Sequence, residues 1–108
     1  MVKSKKHDDQ LTVYLSGEID HCSADRLRRE IESLLADARI RRLTLNFEQV
    51  SFMDSSGVGM IIGRYKTMRE RGGTMTACGL HPPMEKLFHM AGLHRIIAQE
   101  HAGRQEET

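Results

Sequence analysis

Hydrophobic residues recur along this chain with two periods, near two and near 3.6, and the order of those periods predicts its architecture. Residues 11–16, Leu-Thr-Val-Tyr-Leu-Ser, put Leu11, Val13 and Leu15 on one side and Thr12, Tyr14 and Ser16 on the other, which predicts a half-buried strand ended by Gly17. Ahead of it, residues 2–7 carry Lys3, Lys5 and Lys6 and predict an edge strand hairpinned through Asp8-Asp9-Gln10, since lysine discourages pairing with another chain. From Ser23 the spacing lengthens. Ala24, Leu27, Ile31, Leu34, Leu35 and Ala38 recur at three- and four-residue steps, so a helix is expected with Ser23 as its N-cap and Asp25 in its first turn.

Leu43, Leu45 and Phe47 alternate with Thr44 and Asn46 in a further one-sided strand, followed by an expected loop over 48–54 anchored by Val50 and Phe52. A second helix opens within Phe-Met-Asp-Ser-Ser-Gly-Val-Gly-Met-Ile-Ile-Gly, residues 52–63. Its predicted buried stripe is Val58, Ile61, Ile62, Tyr65 and Met68, with Gly59 and Gly63 expected to admit a close neighbour and Gly72-Gly73 as its stop. Residues 74–78 read as a short strand with Met75 and Ala77 inward. Pro82-Pro83 opens a third helix carrying Met84, Leu87, Phe88 and Ala91, Gly92 ends it, and Leu93, Ile96 and Ile97 return to the core.

Short crossovers between the later strands imply parallel pairing, and the alternation within strands implies a sheet with one face left to water. The expected fold is therefore an α/β (α+β) two-layer domain: a mixed sheet of four to five strands with helices mainly on one face. It spans 1–98, and 99–108 is expected to be a frayed tail.

Composition narrows the function classes. The 108 residues suit one compact core, and 16 Lys plus Arg against 15 Asp plus Glu leave no single-sign field that would draw nucleic acid or a membrane surface. No apolar run approaches the length needed to cross a bilayer and the N-terminus lacks a signal-peptide pattern, so a cytoplasmic protein is expected. Cys22 and Cys78 stand far apart without a Cys-x-x-Cys spacing, in keeping with reduced thiols. His89 and His94 have the wrong spacing for one helical face, and no metal or cofactor is expected.

The junction at 54–57 invites three chemical readings. Gly57, Gly59 and Gly63 follow a strand and open a helix, as in a dinucleotide-binding turn, but three residues separate the last two glycines and no acid ends the next strand. A serine hydrolase would need Gly-x-Ser-x-Gly and a base; neither serine has a glycine two residues before it, and His81 reads as a solvated loop residue. The plainest reading makes Asp54 or Ser55 the N-cap and Ser56 a first-turn residue. One cap suffices, however, and a second hydroxyl at the positive end of a helix can carry a covalent phosphate at little cost.

Three segments carry a family resemblance: Leu-Ser-Gly-Glu-Ile-Asp-His at 15–21, the block at 45–66 containing Met-Asp-Ser-Ser-Gly-Val-Gly, and Leu-Phe-His-Met-Ala-Gly-Leu-His-Arg-Ile-Ile at 87–97. They resemble the STAS-domain anti-sigma factor antagonists, and within that family the sporulation type. The resemblance implies a non-enzymatic regulator that binds an anti-sigma factor serine kinase and so releases a sigma factor. It implies phosphorylation of Ser56 by that kinase with the kinase's ATP, and reactivation by a phosphoserine phosphatase. Asp54, Ser55 and Gly57 would complete the phosphorylation loop, with Glu18 and Asp20 as acidic partner contacts. A monomer is expected when free. Antagonists of general-stress pathways share the same serine loop and form the alternative within the family.

Overall fold

The computed structural model describes residues 2–100. Five strands alternate with three helices: β1 Lys3–His7, β2 Gln10–Ile19, α1 His21–Leu34, β3 Arg42–Met53, α2 Ser55–Glu70, β4 Thr74–Cys78, α3 Pro82–Met90 and β5 Ala98–Glu100, with a 3-10 turn at Leu93–Arg95 before β5. The strands lie in the order β1-β2-β3-β4-β5. β1 is antiparallel to β2, while β2 to β5 are mutually parallel neighbours, as the short crossovers predict.

The alternating residues are buried as their period demands. Leu11, Val13, Leu15, Leu43, Leu45, Phe47, Met75 and Ala77 join one core with Leu27 and Ile31 of α1, Val58, Ile61 and Met68 of α2, and Phe88 of α3. Each of these side chains larger than alanine contributes roughly 1.5–3 kcal/mol by leaving water. β1 is exposed along its whole length, as an edge of Lys3, Lys5 and Lys6 should be. The end of α1 is tied down from a distance: the Arg71 guanidinium donates to the carbonyl oxygens of Leu35, Asp37 and Ile40.

Several expectations are corrected. β2 does not end at Gly17 but passes through it in the left-handed region (φ 76°) to Ile19. The segment 48–54 is not a loop; β3 continues to Met53 beside β2. The pairs Tyr14 with Asn46, Ser16 with Gln49, Gly17 with Val50 and Glu18 with Phe52 show β3 carrying two extra residues, two bulges that each reverse the facing of the next side chain. Val50 and Met53 therefore turn inward and Phe52, expected as an anchor, is 50% exposed.

The helices differ in detail as well. α1 begins two residues before Ser23, capped by Asp20, and ends at Leu34, so Ala38 lies beyond it and is exposed. α2 buries Met60 and Arg64, while Ile62 and Tyr65 are only partly covered. Ala91 and Ile96 are exposed although Leu93 and Ile97 reach the core. Gln99 and Glu100 belong to β5 rather than to a frayed tail, and the rest of the tail, 101–108, lies outside the described residues.

Candidate functional site

β2 and β3 end level with one another, Ile19 beside Met53, and each leads through a single aspartate into a helix. Asp20 caps α1 and Asp54 caps α2, both with extended backbone. The Asp54 N–H donates to the Ile19 carbonyl at 3.2 Å, so the two junctions are stitched together. Two helix N-termini, each a pole of partial positive charge, thus emerge side by side from the same end of the sheet.

At the first junction the Asp20 carboxylate accepts the backbone N–H groups of Cys22 and Ser23, both at 3.0 Å. In return the Ser23 hydroxyl accepts the Asp20 N–H at 2.9 Å and donates to the Glu18 carbonyl at 2.8 Å. This is a capping box in which Ser23 is the third helical residue, not the cap. The hydrogen bonds, that from the Ser23 N–H foremost, hold the Asp20 carboxyl below its usual range. Asp20 is half-buried and occupied in capping, whereas Glu18 is exposed.

At the second junction the Asp54 carboxylate accepts the Ser56 N–H at 2.8 Å, and the Gly57 N–H donates to the Asp54 carbonyl at 3.0 Å. Asp54 alone therefore performs the capping, which frees both serine hydroxyls from that duty. Ser55 is exposed, Ser56 half-buried and Gly57 buried. A β-carbon on Gly57 would lie 2.7 Å from Met53 Sδ and 3.1 Å from Ile19 Cγ2, so the close approach in α2 belongs to Gly57. Gly59 and Gly63, expected to admit a neighbour, have nothing within 4 Å of a β-carbon placed on them.

All six residues singled out from the sequence, Glu18, Asp20, Asp54, Ser55, Ser56 and Gly57, fall at this double junction. What the sequence reading passed over is the groove running from it between α1 and α2. That groove, about 300 Å³, is lined by His21 and Arg28 of α1 and by Ser56, Gly59, Gly63 and Arg64 of α2. A chain of ion pairs borders it, Asp25 to Arg28 at 2.8 Å, Arg28 to Glu32 at 3.0 Å and Glu32 to Arg64 at 2.9 Å. The available signal was a lone arginine within the helix's buried stripe, four residues after Met60 and four before Met68.

His81 hydrogen-bonds through Nε2 to the Glu48 carbonyl at 2.8 Å and lines a separate cavity with Ser51, Phe52 and Met84, whereas the histidine sharing a groove with Ser56 is His21. Among the described residues there is no cluster of three or more metal-ligating side chains, and no helix is long and apolar enough to cross a membrane. Cys22 is an exposed and Cys78 a buried free thiol.

Comparison with known proteins gives a consistent picture. The family model described as STAS domain matches residues 1–107. The anti-sigma F factor antagonist of Paenibacillus polymyxa is 36% identical over 96 residues, 89% of this chain and 82% of that protein. The anti-sigma-B factor antagonist of Bacillus subtilis is 33% identical over 96 residues, 89% of this chain and 86% of its own length. Among solved structures, the Bacillus cell fate determinant SpoIIAA in its phosphorylated form superposes with a TM-score of 0.75 at 26% identity, covering 99% of this chain and 97% of SpoIIAA.

Proposed function

Because this chain belongs to the STAS domain family, and within it to the anti-sigma factor antagonists, we propose that it works as a phosphorylation-controlled partner switch centred on Ser56. Unphosphorylated, it binds a kinase-type anti-sigma factor and displaces the sporulation sigma factor held there; it acts by occupying a partner, inside the cell where transcription takes place. Phosphorylation ends the binding. The Ser56 oxygen attacks the γ-phosphorus of the kinase's ATP, an O–P bond forms as the bond to ADP breaks, and the hydroxyl proton passes to a base of the kinase. A phosphoserine phosphatase later hydrolyses the ester and restores the active form.

One observation carries this reading: Ser56 sits half-buried at the second position of α2 with its capping role already filled by Asp54, amid Glu18, Asp20 and Asp54. A phosphate adds about −1.5 to −2 charges at neutral pH. Within the monomer the helix N-terminus offsets roughly 0.3–2 kcal/mol of its cost, so the fold persists. Across an interface formed by Glu18, Asp20 and Asp54, burial of the dianion with no cation supplied by the partner costs about 2–5 kcal/mol, a ~30- to ~4000-fold loss of affinity.

The test is phosphorylation by the cognate kinase-type anti-sigma factor and ATP, followed by intact mass. One phosphate is expected on the wild type and none on Ser56→Ala; equal phosphorylation of the two proteins refutes the site. The likeness to the Bacillus subtilis anti-sigma-B factor antagonist supports a second reading, release of a general-stress sigma factor. Competition against each anti-sigma–sigma complex separates the two, since only one sigma factor should be displaced at equimolar antagonist.

A further inference from the structure

Two features of the α1–α2 groove are not accounted for by packing alone. Gly59 and Gly63 stand inside a helix, where glycine is unfavourable, yet a β-carbon at either would meet nothing within 4 Å. They keep open a space that no side chain of the free protein fills. Arg64 has a side chain only 6% exposed, and one of its nitrogens reaches Glu32 at 2.9 Å. Its Nε and Nη1 are buried and find no acceptor among the described residues. A buried guanidinium with idle donors is costly, because each unmade hydrogen bond forfeits the solvation those groups had in water.

Ser56 lines the same groove, together with His21 and Arg28. Ser56, Gly59, Gly63 and Arg64 lie on the side of α2 that lines the groove, with Arg64 two turns beyond Ser56 and reaching across to Glu32 of α1. The groove therefore joins a modifiable hydroxyl at a helix N-terminus, an open floor of glycines and three cationic or cationisable groups.

We propose that this groove is the intramolecular receiving site for the phosphoryl group on Ser56, in which Arg28, Arg64 and His21 pair with the phosphate. The inference rests on the reading of Ser56 as the modified residue. The carboxylates facing the site are Asp25 and Glu32 of α1, which now hold Arg28 and Arg64, and Asp54 at the start of α2. A phosphate carries more charge than either α1 carboxylate and offers three acceptor oxygens, enough to engage a guanidinium fork and an imidazolium together. The phosphorylated form is thus a folded-back state, with its new charge held between its own helices.

The test uses full-length protein with phosphoserine installed at position 56 during translation, which needs no kinase. The phosphate's second ionisation is followed by phosphorus NMR and the His21 imidazole by proton NMR. Expected results are a phosphate titrating below its ordinary value near 6, an upward move of about one unit in Arg28→Ala, and a His21 titration raised by about one unit on phosphorylation. Arg28 is 40% exposed, so its loss should leave the domain folded. A phosphate that titrates identically in wild type and Arg28→Ala, or a His21 unmoved by phosphorylation, overturns the inference. Failure of the kinase to modify Ser56 would instead sink the proposed function and leave these titrations as they are.

Discussion

Two glycines two residues apart in α2 should respond to alanine in opposite directions. At Gly59 the new β-carbon meets nothing within 4 Å, so only helix propensity changes, a gain of about 0.5–1 kcal/mol. For a domain of this size that corresponds to a melting temperature higher by about 2–8 °C. At Gly57 the propensity gain is the same, but the β-carbon would sit 2.7 Å from Met53 Sδ, closer still to Met53 Cγ, and 3.1 Å from Ile19 Cγ2. Met53 is 6% and Ile19 0% exposed, so neither can swing into solvent. Overpacking a core costs about 1–3 kcal/mol, leaving Gly57→Ala destabilised by roughly 0.5–2 kcal/mol after the propensity gain is subtracted, low end from low end and high from high. Urea unfolding followed by far-ultraviolet circular dichroism reads both variants. The slopes should match the wild type while the midpoints move apart. A Gly57→Ala protein at least as stable as wild type, or a destabilised Gly59→Ala protein, would refute the packing assigned to α2.

Three other outcomes are expected. Asp54→Ala should lower stability by about 1 kcal/mol in urea melts through loss of the cap to the Ser56 N–H, with Asp54→Asn retaining most of it. Ser56→Asp should weaken anti-sigma factor binding in titration calorimetry while leaving the far-ultraviolet spectrum unchanged; undiminished binding would mean that added charge at this position is not the switch. Asp20 and Asp37 both have carboxyls held below the usual range, Asp20 first by the Ser23 N–H and Asp37 first by Arg39 and then by Lys6. The unfolded chain then binds protons more readily than the folded one, so this stabilisation is complete above the ordinary carboxylate value of about 3.9 and is lost as pH falls below it. Urea midpoints should therefore hold from pH 6 to about pH 4 and drop from there toward pH 3, less steeply in Asp37→Asn.

Period-two alternation places Leu11, Val13 and Leu15, and likewise Leu43, Leu45 and Phe47, in the core, and all six are buried. Pro82 and Gly72-Gly73 mark helix boundaries through backbone chemistry that acts within a turn. Asp54, Ser55, Ser56 and Gly57 are contiguous, so their place at a helix start is legible locally, while the choice of Ser56 among them rests on the family resemblance. Asp20, not the expected Ser23, caps α1, because either residue type caps well and both fit the local pattern.

The amino-acid sequence by itself determined the two-layer mixed fold, the polar open face of the sheet and the position of the serines at a helix start, since each follows from residues within a few positions of one another. Only the tertiary structure decided the rest. The two bulges that turn Phe52 outward exist because β3 has two more residues than the stretch of β2 it pairs with, a mismatch visible only when Glu18 lies beside Phe52. The burial of Arg64 and the open floor at Gly59 and Gly63 depend on where α1 lies beside α2, a packing of helices whose facing residues stand some thirty positions apart, as Glu32 and Arg64 do. Periodicity records which side of an element avoids water, but it carries no record of which distant surface covers that side or how closely.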